Sequence, residues 1–279
     1  MFEVIISRYN ESVTETLNFL VKEITHCAQE LPSKSLEKLQ FCIFLYNKDS
    51  SDLDNQQILQ ALKGDSSGNV SVLLETLKDS STFATIDTCD FKLQVLSLEN
   101  IGREGQTYLH HIASNFRRYE LDLEKDDVLV FLPASCTNPR KVTLTRRILR
   151  YAVESRNSAF VGQYFETTID KQFHSLTMST WQGTTVENSE KIPSGICAPS
   201  KFRPFGKWFS HFFPGVVLHI SCYSGVFAVS VRHVVENHSL EQYQALLEEV
   251  STHSNPESGH YLERSWIAVF HPIPVLLCY

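Results

Sequence analysis

Residues with chemical potential cluster in a few short runs. Asn100-Ile101-Gly102-Arg103 stands between an apolar alternation (Phe91, Leu93, Val95) and a helical pattern through Tyr108, Leu109, Ile112 and Phe116. A helix opened by glycine offers backbone N–H groups and a partial positive charge to an anion, and Arg103 could add a bidentate, charge-assisted contact to phosphate. A plainer reading competes: Asn100 caps the helix and Gly102 and Gly105 only shape its turn. Near the end of the chain, Glu257, His260, Glu263 and Arg264 recur at helical spacing, so the last three are neighbours on one surface. A carboxylate there suits a general base, beside an arginine that could orient it or meet phosphate. The plainer alternative is an ion pair on a helix surface, worth little in stability. Arg203 and Lys207 lie among aromatics in an irregular, Pro-, Ser- and Gly-rich region from Gln182 to Gly215, where they could close over an anionic ligand. Tyr9, Asn10 and Glu11 follow the first apolar run.

The elements that must position these groups alternate. Phe2 to Ser7 reads as a strand, and Leu17, Leu20, Val21 and Ile24 as the stripe of a helix capped by Ser12 or Thr14. Leu39 to Tyr46 and Val128 to Leu132 have the length and composition of fully buried strands. Phe91 to Ser135 is therefore a βαβ unit, which needs a crossover and favours a parallel sheet. Lys141 to Glu154 reads as a helix, Gly225 to Ser230 as a strand, and Val70 to Leu77 leans to strand. Ser239 to Gln242 matches a capping box before a further helix, and Asn255-Pro256 opens the last one.

Composition narrows the classes. The chain has 279 residues, enough for one domain with a sizeable core, and a net charge of -7 argues against nonspecific attraction to nucleic acid or anionic membrane. No apolar run reaches the ~20 residues that span a bilayer. Seven cysteines, odd in number and without a CxxC pair, read as reduced thiols, so the expected location is cytoplasmic. They do not cluster as zinc ligands. His110 and His111 are adjacent on a helix, face different directions and are read as structural.

The order of these pieces resembles the nucleotide-sugar glycosyltransferases of the GT-A fold. It resembles more closely a largely uncharacterised domain family of fungi, bacteria and large viruses. The matching runs are Arg8 to Glu11, Asn100 to Ile112, Arg203 to Trp208, Gly225 to Ser230 and Asn255 to Trp266, in order along nearly the whole chain. The resemblance implies an α/β fold: a GT-A-like (Rossmann-like) mixed, mostly parallel central sheet flanked by helices. It implies one domain over 1–279, with a nucleotide-binding half (1–135) and an acceptor and catalytic half (136–279). The implied partners are a nucleotide-sugar donor and a glycan acceptor. UDP is the commonest donor base of the fold, and UDP-xylose or a UDP-hexose is a choice by prior alone. Tyr9, Asn10, Glu11, Asn100, Gly102, Arg103, Arg203 and Lys207 are the expected donor contacts. Glu263, Glu257, Arg264 and His260 are the expected catalytic group, with Glu257 or Glu263 taking the acceptor's proton and inversion the simplest outcome.

One departure matters. The fold commonly holds Mn²⁺ or Mg²⁺ with a D-x-D motif after the strand occupied here by Val128 to Leu132. This chain has Pro133-Ala134-Ser135-Cys136 there, so no metal ligand is assigned and no cofactor is certain. Asp52-Leu53-Asp54, Asp87 and Asp90 read as turn acids. The missing motif also motivates a second reading, a non-catalytic carbohydrate-binding or interaction protein on the same scaffold. A dinucleotide enzyme or a serine hydrolase would want G-x-G-x-x-G or G-x-S-x-G, which are missing. Oligomeric state is not legible.

Overall fold

The computed structural model describes residues 1–31, 39–48, 82–86, 89–121, 126–164, 175–177, 197–217, 220–221, 225–272 and 277–278. Asp52, Asp54, Asp87, the Val70–Leu77 stretch and residues 182–196 of the irregular region lie outside the described residues.

Strand β1 (Phe2–Arg8) is buried along its whole length, as its near-continuous apolar run requires. It pairs in parallel with β2 (Leu39–Asn47) on one side and with β5 (Val128–Pro133) on the other. β2 pairs in parallel with β4 (Cys89–Ser97), whose outer edge carries antiparallel β3 (Thr82–Ile86). Beyond β5 comes β8 (Phe227–Ser230), antiparallel to β5 and to β6 (Ala159–Tyr164). Short β7 (Ile220–Ser221) and β9 (Leu277–Cys278) pair with β6. The fold is α/β around a mixed sheet ordered β3-β4-β2-β1-β5-β8-β6-β7. Its neighbouring strands β4, β2, β1 and β5 are parallel, and strands from both halves of the chain share it.

The two sheet faces are covered by different helices. On one face α1 (Val13–Gln29) and α3 (Pro139–Ser155) pack on Phe2, Val4 and Ile6. Ser12 caps α1 by accepting from the Glu15 N–H, and Asn138 caps α3 by accepting from the Arg140 N–H. On the other face α2 (Arg103–Leu121) lies over Ile5, Leu129 and Phe131, with α4 (Phe205–Phe212), α5 (Val231–Asn237), α6 (Leu240–Val250) and α7 (Glu257–Val269) packed outside it. The expected capping box is present, with Ser239 and Gln242 bonding reciprocally. No helix among the described residues is long and apolar enough to cross a membrane.

One polar network is locked into the apolar layer under α2. Glu3 is 2% exposed on β1. Its carboxylate accepts from Tyr119 at 2.8 Å and His111 Nε2 at 3.0 Å, and pairs with Arg118 at 2.6 Å. His111 Nδ1 in turn accepts from the Tyr46 hydroxyl at 2.9 Å. Burial pushes the His111 imidazole down, so it is the neutral Nε2–H tautomer and not a salt-bridge cation. Burial pushes the Glu3 carboxyl up, but the His111 hydrogen bond, and then Arg118 and Tyr119, leave it below its ordinary value. Both folded pKa values lie below the unfolded ones. The stability they contribute is therefore full above the ordinary histidine value of 6.5. It is lost as pH falls, first below that value and then through the depressed Glu3 value. Glu3→Gln is expected to cost about 3 kcal/mol, because buried donors lose their charged acceptor. It should also remove the part of the acid limb of a Tm-against-pH curve that runs through the depressed Glu3 value. An unchanged acid limb would show that the network is not the acid-sensitive element.

Candidate functional site

The carboxyl ends of β1, β2, β4 and β5 lie on one edge of the sheet. The order β4-β2-β1-β5 places a topological switch between β1 and β5, where open α/β sheets gather ligands. β8 runs against β5, so its leading Gly225 comes to the same edge. The crossover helix α2 starts there as well.

That start is unusual backbone. Gly102 and Arg103 both have left-handed φ, 64° and 55°. The Gly102 N–H donates to the His253 carbonyl at 2.8 Å, and its carbonyl accepts from Gln106 at 3.1 Å. Asn100 is exposed and is not the cap that its type and position suggest. The bend is held from below by Lys48, which directly follows β2. Only 3% exposed, its ammonium donates to the Ile101 carbonyl, to the Arg103 carbonyl at 2.7 Å and to Gln106 Oε1 at 3.1 Å. Burial pushes the Lys48 pKa down to about 8, against the pull of Glu104 and Glu99. Of the amides at this helix start, that of Gly102 is engaged by the His253 carbonyl.

Arg103 keeps 33% of its side chain exposed. Its Nη1 lies 3.2 Å from His260 Nδ1, and its Nε lies 3.7 Å from Glu104. The same Nη1 lies 3.0 Å from His260 Nε2, which is 2.9 Å from Asn255 Oδ1, so the ring sits between the guanidinium and the Asn255 amide. Burial, then Arg103 and Arg264, push the His260 pKa down to about 3. His260 therefore stays a neutral imidazole, with a single ring proton, and braces Arg103. Burial pushes Glu104 up, but Arg103 and then Lys141 pull it below the usual carboxylate range. Glu104 also faces Gly225: a Cβ added to that glycine would stand 3.3 Å from Glu104 Cγ. Glu263 is half-buried on α7, and its charge is felt at both Arg103 and Tyr108.

The remaining expected residues fall elsewhere. Glu257 has 0% exposure. One of its oxygens accepts from the Ser200 N–H at 2.8 Å, and Arg203 grips both oxygens at 3.1 Å. A carboxylate so engaged anchors the 197–204 segment to α7, with Arg203 held against it. Arg264, 3% exposed, turns back along α7 onto the His260 carbonyl at 2.6 Å. Lys207 is exposed on α4 and takes no part in the contacts that assemble the Arg103 cluster. At the mouth of β1, Tyr9 is 44% exposed, while the Tyr9 and Asn10 N–H groups donate to Glu11 at 2.9 and 3.2 Å. That folds Glu11 back onto its own loop. Arg8 braces the loop by donating to the Glu11 carbonyl and to Asn47 Oδ1, at 2.9 and 2.7 Å.

After β5 the chain makes a tight turn, Ala134–Thr137, before α3. The Lys141 ammonium returns to this turn and donates to Ser135 Oγ at 3.1 Å. A divalent cation wants oxygen ligands from carboxylates or carbonyls. A lysine ammonium held at this position does not fit one. Among the described residues no three His, Cys, Asp or Glu side chains are placed to share a metal. A groove of about 330 Å³ lies at the other end of α2, between Phe116, Arg117, Val235, His238 and Leu240. The chemistry-bearing residues do not converge there.

Lys48, Glu104, Ser135 and Lys141 were not singled out from the sequence. The available signal was position: each directly follows a strand's carboxyl end or opens the helix behind one. No protein-family model and no curated protein sequence matches this chain.

Proposed function

We propose that the protein is a glycosyltransferase that moves a sugar from a nucleotide-sugar donor, a UDP-sugar by preference, to a glycan hydroxyl. The observation that carries the reading is Arg103, partly exposed at the switch point and braced by neutral His260, with Glu263 within its electrostatic reach. A Rossmann-like half ordered β4-β2-β1-β5, followed by antiparallel β8, agrees with a GT-A-like scaffold. In this reading the donor lies across the carboxyl ends of β1 and β5. Glu263 accepts the proton of the attacking hydroxyl, whose oxygen forms the new bond to the anomeric carbon. The old bond from that carbon to the β-phosphate oxygen breaks, and its electron pair leaves with the nucleoside diphosphate. Arg103 meets the growing negative charge. One displacement inverts the anomeric centre.

The test is a donor screen with UDP- and GDP-sugars, with and without EDTA, reading sugar release and transfer. Turnover from at least one donor is expected. A nucleotide-dependent rise in Tm without turnover would favour the binding-protein reading. No turnover and no nucleotide binding would remove the assignment.

A further inference from the structure

The carboxyl end of β5 is where a metal-dependent enzyme of this architecture would present carboxylates. Here it presents the Ala134–Thr137 turn with an ammonium seated on it. Lys141 does not serve its own helix. It lies in the first turn of α3, which contains no acid, and a cation there opposes the helix dipole. Among the described residues no ion pair ties it to a carboxylate. Its contact is the neutral Ser135 hydroxyl, and its charge reaches Glu104 across the switch point, where it is second only to Arg103 in stabilising that carboxylate. Arg103 lies 3.7 Å from Glu104 on α2, and Lys141 acts on the same carboxylate through its charge from α3, on the opposite face of the sheet. The amides of the α2 start are partly engaged, and Arg203 is bound to Glu257. Among the described residues, Lys141 is thus a cation at this edge with a hydroxyl and no carboxylate in hydrogen-bonding reach.

We infer that Lys141, seated on Ser135, acts with Arg103 as the clamp for the diphosphate of a nucleoside diphosphate, in the place a divalent cation would take. This rests on the glycosyltransferase reading of the site. An ammonium supplies a point charge and rotatable donors that suit phosphate oxygens. It also supplies them without a metal.

The experiment is calorimetric titration of the full chain with UDP, and with uridine as a phosphate-free control, in EDTA. Wild type, Lys141→Gln, Lys141→Arg and Ser135→Ala are compared, with Tm recorded for each. Lys141→Gln is expected to weaken UDP about tenfold or more, the size of a lost charge-assisted contact, and to leave uridine unchanged. Lys141→Arg should retain most of the UDP affinity, and Ser135→Ala should lose a smaller part. The wild-type affinity should fall with salt more steeply than that of Lys141→Gln. Equal UDP affinity in wild type and Lys141→Gln would overturn this inference alone. So would a wild type that binds UDP only after Mn²⁺ or Mg²⁺ is restored. A wild type that binds neither UDP nor uridine would overturn the reading of the site and this inference with it.

Discussion

Glu263→Gln is expected to lower kcat by about 10²- to 10⁴-fold, the usual contribution of a positioned general base, with little change in nucleotide affinity. The amide is nearly isosteric but cannot take up a proton at neutral pH. Glu263 is half-buried on α7, where the amide keeps the shape of the side chain. The informative comparison is Glu257→Gln on the same helix. Glu257 is sealed under the 197–204 segment with Arg203 and Ser200 on its oxygens. Its loss should show as a Tm several degrees lower, while the folded fraction keeps its kcat. Steady-state kinetics on both variants, normalised to folded protein, separate the two. If Glu263→Gln keeps the wild-type rate and Glu257→Gln does not, the proton acceptor has been assigned to the wrong carboxylate.

Gly102→Ala is expected to destabilise the fold by about 3 kcal/mol or more, the sum of left-handed backbone strain and overpacking. A Cβ at this φ of +64° would stand 2.3 Å from Gln106 Cβ and 2.6 Å from the Val250 carbonyl oxygen. The second neighbour is backbone and cannot swing aside. The first belongs to the residue whose amide closes on the Gly102 carbonyl and whose side chain accepts from Lys48. Any relaxation therefore moves the bend that carries Arg103, and nucleotide binding should weaken along with stability. Chemical denaturation and UDP titration on the same preparation measure both. A variant with wild-type midpoint and affinity would mean that the left-handed bend does not hold Arg103 in place.

Much of the scaffold was legible in the chain. Runs such as Phe2 to Ser7 and Val128 to Leu132 are too apolar to lie anywhere but in the middle of a covered sheet, whereas Leu39 to Tyr46, expected to be fully buried, leaves Gln40 exposed and Cys42 and Phe44 half-buried on one face. Helical stripes behind Ser12 and Ser239 announce their own starts, because a hydroxyl at that position satisfies an amide the helix leaves over. These are local matters of periodicity and capping, settled within a few residues. The Asn100–Arg103 stretch was legible as a turn into a helix for the same reason.

Which side chains meet was decided by the tertiary structure. Glu257 and Glu263 are both acids on one short helix, and nothing in their spacing tells a sealed carboxylate from a half-open one. The difference is Arg203, 54 residues earlier, which reaches Glu257 only because the 197–204 segment folds against α7. Lys48 and Lys141 looked like ordinary loop and helix lysines. Strand order makes the first a buried brace under Arg103 and sets the second beside the end of β5. Periodicity and capping act between near neighbours, so a sequence displays them directly. Charge pairing and desolvation depend on distances across the fold, which only packing fixes.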